Sequence, residues 1–157
     1  MPETGQSAGC DSFVQWFGAL GGQWRLIREI SDGSRFVGDA VFSKIGEADF
    51  LLREEGKFFP AGQAGLAAGR RWIWRLDETG LFEIRYPSPD GRLYHRFEPA
   101  SDDGAWCGEA GHLCGDDNYA ATYRLGIGEM EIVHHVSGPA KHYRLMSRFT
   151  RSAAGRN

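Results

Sequence analysis

The sequence predicts an all-β protein, a closed antiparallel up-and-down β-barrel of about ten strands with a short N-terminal helix. Three observations carry this. Gly22-x-Trp24 marks the entry into a first strand, the glycine turning the chain sharply and the tryptophan supplying a large flat plug for one end of a closed sheet. From Gln23 onward apolar residues recur with a period of two, the signature of strands with one buried face. Turn-forming clusters punctuate that alternation, among them Asp32-Gly33, Pro87-Ser88-Pro89-Asp90-Gly91 and Gly138-Pro139.

Each element has its own signal in the chain. Asp11 or Ser12 can cap a helix running to about Leu20, in which Phe13, Trp16, Phe17 and Leu20 share one face. Placed before the first strand, this helix covers the end that Trp24 plugs. In that strand Trp24, Leu26, Arg28 and Ile30 face one way, and Gln23, Arg25 and Glu29 the other. A second strand over 36–44 aligns Phe36, Gly38, Ala40 and Phe42, and a third from Ala48 aligns Phe50, Leu52 and Glu54. Residues 56–69, rich in glycine and alanine, read as a loop and a candidate lid.

Arg70 to Leu76 alternates with Trp72, Trp74 and Leu76 inward, followed by Phe82, Ile84 and Tyr86, and then by Leu93, His95 and Phe97 on the return strand. Residues 99–108 read as polar loop. An even strand count and the turn chemistry of Gly115-Asp116-Asp117-Asn118 divide residues 109–125 into two strands, 109–114 and 119–125. Strands over 130–136 and 143–151 complete ten. By parity Arg151 falls on the inward face of the last strand, at the level of Trp24, so Gly22, Trp24 and Arg151 form a structural set.

Length and composition suit one domain, spanning 10–151, between small polar ends at 1–9 and 152–157 that are expected to be disordered. A net charge of −3 with charged residues at 25% gives no nucleic-acid footprint. No apolar run approaches the ~20 residues of a membrane-spanning helix. Cys10, Cys107 and Cys114 are odd in number and no signal peptide is evident, so a reduced, cytoplasmic chain is expected.

The spaced set Gly22-x-Trp24, Gly38-x-Ala40-x-Phe42, Glu55-Gly56, His95, His112-x-Cys114, Tyr119 and Gly138-Pro139-x-Lys141-x-Tyr143, ending in Arg151, resembles an uncharacterised family of lipocalin-like domains of bacteria and fungi. The resemblance covers about 13–151. More distantly the chain is similar to the calycins, which implies a barrel interior used as a ligand site and transfers no activity.

Several polar groups share the inward faces: Arg28, Glu54, His95, His112, Tyr119, His134 and Tyr143. Buried without partners, an arginine or a glutamate costs several kcal/mol, so Arg28 and Glu54 either close an internal salt-bridge and water network or meet a polar ligand. His112-x-Cys114 lacks the four ligands and tight spacing of a structural zinc site, and His134-His135 point to opposite faces, so no metal is expected. No haem-ligand motif, nucleophile elbow, P-loop or dinucleotide fingerprint is present, and no cofactor is expected.

The reading is noncovalent binding of a small, partly apolar, anionic molecule, with Trp72 and Trp74 in the wall and Arg28, Glu54, His95, His112, Tyr119, His134 and Tyr143 around the ligand. One alternative is an isomerase- or cyclase-type enzyme using Glu54, His95 or His134 as acid and base. Another is a filled barrel acting as a protein-interaction module. Oligomeric state is not legible.

Overall fold

The structure is a computed structural model, and it describes residues 12–152. Cys10, the alternative cap Asp11 and nearly all of both polar ends lie outside the described residues. One helix, α1 (Phe13–Gly18), precedes twelve strands: β1 (Gly22–Ile30), β2 (Arg35–Gly46), β3 (Asp49–Phe59), β4 (Leu66–Leu76), β5 (Phe82–Arg85), β6 (Leu93–Phe97), β7 (Ala100–Asp102), β8 (Ala105–Ala110), β9 (Leu113–Cys114), β10 (Asp117–Leu125), β11 (Glu129–Ser137) and β12 (His142–Arg151). They form one antiparallel sheet in the order β6-β5-β4-β3-β2-β1-β12-β11-β10-β8-β7, with β9 beside β10.

The first and last long strands pair, Trp24 opposite Arg151 and Arg28 opposite Ser147, which curls the sheet on itself. Backbone pairing stops at the other boundary. No ladder joins β6 to β8 or β10 among the described residues. There the contact is made by side chains: His95 on β6 reaches Tyr123 and the Tyr119 carbonyl on β10, and Phe97 lies where a side chain on Gly108 of β8 would be.

Three expectations about the connections are corrected. Residues 56–69 are not a lid-sized loop, because β3 runs on to Phe59 and β4 begins at Leu66. Gly56 sits opposite Gly38, and a Cβ on Gly56 would lie 2.2 Å from the Val37 carbonyl oxygen. The glycines permit two strands to approach closely rather than ending one. Residues 99–108 are mostly the β7–β8 hairpin, turned by Asp103 and Gly104 with φ of 51° and 84°, as Asp-Gly hairpin chemistry requires. The strand expected over 109–114 is broken at Gly111 and His112 into the end of β8 and the short β9.

The plugged end is built as its sequence implies. Ser12 caps α1 by accepting from the Gln15 amide. Phe13 and Phe17 pack against Phe82 and Phe50, and the Trp16 indole donates to the Gly126 carbonyl. The Trp24 indole donates to the Leu20 carbonyl, and the Arg151 guanidinium stands 4.2 Å from the Trp24 ring centroid. Gly22 has φ 119°, a conformation that favours glycine, and holds the chain close under Arg151. Above Trp24, edge-to-face contacts among Phe42, Trp74, Phe82 and Phe149 floor the interior.

Candidate functional site

Above this aromatic floor lies a cavity of about 310 Å³. Strand parity brings Arg28 (β1), Glu54 (β3), Trp72 and Trp74 (β4), His134 (β11) and Tyr143 (β12) to its wall. Register does the rest: Glu54 is directly opposite Arg70, and Arg28 is directly opposite Ser147. Arg70 and Ser147 join the lining.

Arg28 and Glu54 are buried, at 8% and 3% exposure, and they are paired. Both terminal nitrogens of Arg28 donate to Glu54 at 3.2 Å, and its Nε donates to the Ser147 hydroxyl at 2.7 Å. Arg70 donates its Nε to the same carboxylate at 2.9 Å, and its guanidinium lies 5.5 Å from the Trp72 ring centroid. Burial pushes the Glu54 carboxyl upward, but the charges and hydrogen bonds of Arg28 and Arg70 prevail and hold it below its ordinary value. Burial lowers the Arg28 guanidinium against the pull of Glu54, and an arginine so paired stays charged. The interior therefore holds two cations on one anion, a net charge of +1 by count of Arg28, Arg70 and Glu54.

His134 lines the same cavity and makes no protein hydrogen bond among the described residues. Burial, then the charges of His95, Arg70 and Arg28, lower it to about 3, so it is a neutral imidazole at neutral pH. Tyr94 and Tyr143 likewise present hydroxyls with no protein hydrogen bond among the described residues, and burial raises Tyr94 to about 12. Tyr119 lines the cavity near its rim, where Lys141 donates to its hydroxyl at 2.8 Å and pairs with Asp117 at 3.2 Å.

Two expected site residues are placed elsewhere. His95 is 1% exposed and does not line the cavity; its Nε2 must donate to the Tyr119 carbonyl at 2.9 Å, which leaves Nδ1 to accept from the Tyr123 hydroxyl. Both ring nitrogens are thereby used, and burial holds the group down at about 4. It cannot form an acid–base pair with Glu54, whose oxygens are taken by the two arginines. His112 also lies off the cavity, packed against the Tyr94 and Tyr86 rings at 5.3 and 6.1 Å. Cys114 reaches the lining without it.

Arg70, Tyr94 and Ser147 were not in the expected set. Arg70 shares the parity of Trp72, and Ser147 that of Tyr143 and Phe149, so alternation alone could have found both. Tyr94 had no such signal. The register shifts after the Ile84–His95 pair, so Arg85 pairs with Leu93 and Tyr94 is skipped, which takes Tyr94 out of simple alternation. No group of three or more His, Cys, Asp or Glu side chains able to hold a metal occurs among the described residues.

A family model matches residues 20–151, described as a family of unknown function, DUF6314. The chain belongs to this family. Comparison with curated protein sequences finds no match. Among solved structures this DUF6314 member is similar to designed barrels. A de novo fluorescence-activating β-barrel aligns at 14% identity and TM-score 0.50, covering 87% of this chain and 96% of its own. A redesigned β-barrel bound to DFHBI aligns at 10% identity and TM-score 0.47, covering 85% and 99%. The first of these likenesses concerns the barrel fold alone. No helix among the described residues is long and apolar enough to cross a membrane.

Proposed function

We propose that this protein holds a small, partly apolar, anionic molecule noncovalently inside its barrel, the use that lipocalin-like domains make of the same space. The observation that carries the reading is the cavity itself: about 310 Å³, walled by aromatic rings, with Arg28, Glu54 and Arg70 carrying one net positive charge in it. Ligand pockets span roughly 300–1,000 Å³ and combine apolar walls with a few convergent polar groups. The unpartnered polar edges of His134, Tyr94 and Tyr143 supply such groups. The filled-barrel alternative requires an occupied interior, and the acid–base alternative loses Glu54 and His95 to their existing partners. No cofactor enters this reading.

The test is direct. Native mass spectrometry of freshly purified protein is expected to reveal a co-purifying small molecule, and 8-anilinonaphthalene-1-sulfonate is expected to bind with a rise in fluorescence. Leu145→Trp, which grows a cavity-wall residue into the space, is expected to abolish the fluorescence while the far-ultraviolet circular dichroism stays unchanged. Equal probe binding by a folded Leu145→Trp variant would count against the barrel interior as the site.

A further inference from the structure

Arg28, the residue whose inward parity first suggests anion recognition, is already engaged. Most of its donors are spent on Glu54 and Ser147, and it is 8% exposed. Arg70 is placed differently. It touches Glu54 through Nε alone, its side chain is 44% exposed, and both of its terminal nitrogens make no protein hydrogen bond among the described residues. A guanidinium presents its donors as a rigid planar fork, so anchoring one edge leaves another edge oriented for a planar anion.

We propose that Arg70 is the residue that grips the ligand's head group, with Arg28 and Glu54 positioning it, and that the site is matched to a single negative charge. The ligand class is a carboxylate or comparable monoanion on an apolar body, rather than a phosphate dianion or a neutral molecule. This rests on the container reading above and adds to it the identity of the specificity residue and the charge of its ligand.

The charge count carries the second half of the inference. Glu54 cancels one of the two guanidinium charges, leaving one. A monoanion at Arg70 neutralises the interior. A dianion leaves an excess negative charge beside Trp72 and Trp74, with no lining cation besides Arg28 and Arg70 to offset it. The remaining polar groups fit this: His134 and Tyr94 are uncharged and adjoin the same space. Arg70 lines this space with them, its guanidinium 5.5 Å from the Trp72 ring centroid. They offer hydrogen bonds without a second counter-charge.

Displacement of 8-anilinonaphthalene-1-sulfonate by three probes of one shape tests this: naphthalene-2-carboxylate, naphthalene-2-ol and 2-naphthyl phosphate, at pH 8. The wild type is expected to favour the carboxylate over both others by about tenfold or more. Arg70→Gln should erase the preference over the naphthol by weakening carboxylate binding about tenfold or more, and Arg70→Lys should restore part of it. Glu54→Gln raises the interior to two positive charges and should turn the preference toward the phosphate; if that variant does not fold, the half-exposed Arg70 series decides. A wild type that binds the reporter but ranks the three probes equally overturns the charge match and leaves the container reading standing. So does an Arg70→Gln variant that keeps the carboxylate preference. Failure of the reporter and all three probes to bind the wild type overturns the container reading, and this inference with it.

Discussion

His95 of β6 accepts a hydrogen bond from the Tyr123 hydroxyl of β10 across the boundary where, among the described residues, the curled sheet has no backbone ladder. Its other ring nitrogen holds the Tyr119 carbonyl. A neutral imidazole in the Nε2–H tautomer, with a donor and an acceptor on opposite edges, does there what main-chain pairing does between other neighbours.

Tyr123→Phe removes the hydroxyl and leaves a buried imidazole nitrogen without a donor, at a cost of about 1–3 kcal/mol. His95→Phe should cost a similar amount. In a double-mutant cycle by urea unfolding, the two effects should be non-additive by about 0.5 kcal/mol or more, since they remove one shared bond. Simple additivity would mean that the bond contributes little to holding the boundary.

Acid should loosen the protein through its buried histidines. His95 and His134 are lowered from 6.5 to about 4 and about 3, so the unfolded chain binds their protons more tightly than the folded one. Stability is then full above about pH 6.5 and falls as pH drops toward 4, with a limiting slope near 1.4 kcal/mol per pH unit for each histidine. Glu54, also lowered, adds in the same direction below its ordinary 4.5. His134→Asn should flatten the stability profile between pH 6.5 and 4.5, and an unchanged slope would refute the assignment.

Arg151 joins three carbonyls at the end of α1 to the face of Trp24, donating to Ala19 at 2.6 Å, Leu20 at 3.4 Å and Gly21 at 2.8 Å. Because the side chain is partly in water, Arg151→Met should cost about 1–2 kcal/mol, toward the exposed end of the range for cation–π and charged hydrogen bonds. Arg151→Lys should recover less than half, a point charge being unable to span the three acceptors. Amide exchange in α1 should rise in both variants while that of β1 stays slow.

Gly38→Ala should be among the most damaging single-methyl changes in this chain. The added carbon would lie 2.2 Å from the Glu55 carbonyl oxygen and 2.7 Å from the Gly56 Cα, so backbone must move. A cost of about 3 kcal/mol or more is expected, beyond ordinary overpacking. Gly18→Ala, with nothing within 4 Å, is the control and should be neutral or slightly stabilising. Comparable melting temperatures for the two variants would argue against the β2–β3 close approach.

What the sequence determined is what depends on local parity and local turn chemistry. A period of two assigns each residue to a face, so the all-β class, the inward set of Trp24, Arg28, Glu54, Trp72, Trp74, His134 and Tyr143, and the meeting of Arg151 with Trp24 were all legible. Where that rule was interrupted it misled. The glycine-rich stretch from Gly56, which pairs with Gly38 of the neighbouring strand, looked like a loop, and the irregularity after Ile84 hid Tyr94. Which inward groups satisfy one another is set by packing across strands. His95 is taken by partners 24 and 28 residues away, and Glu54 is shared between Arg28 and Arg70 on two different strands. Such allocations depend on register and on how rings pack into a finite space. Alternation says which side chains enter the interior, and only packing says which of them remain available to a ligand.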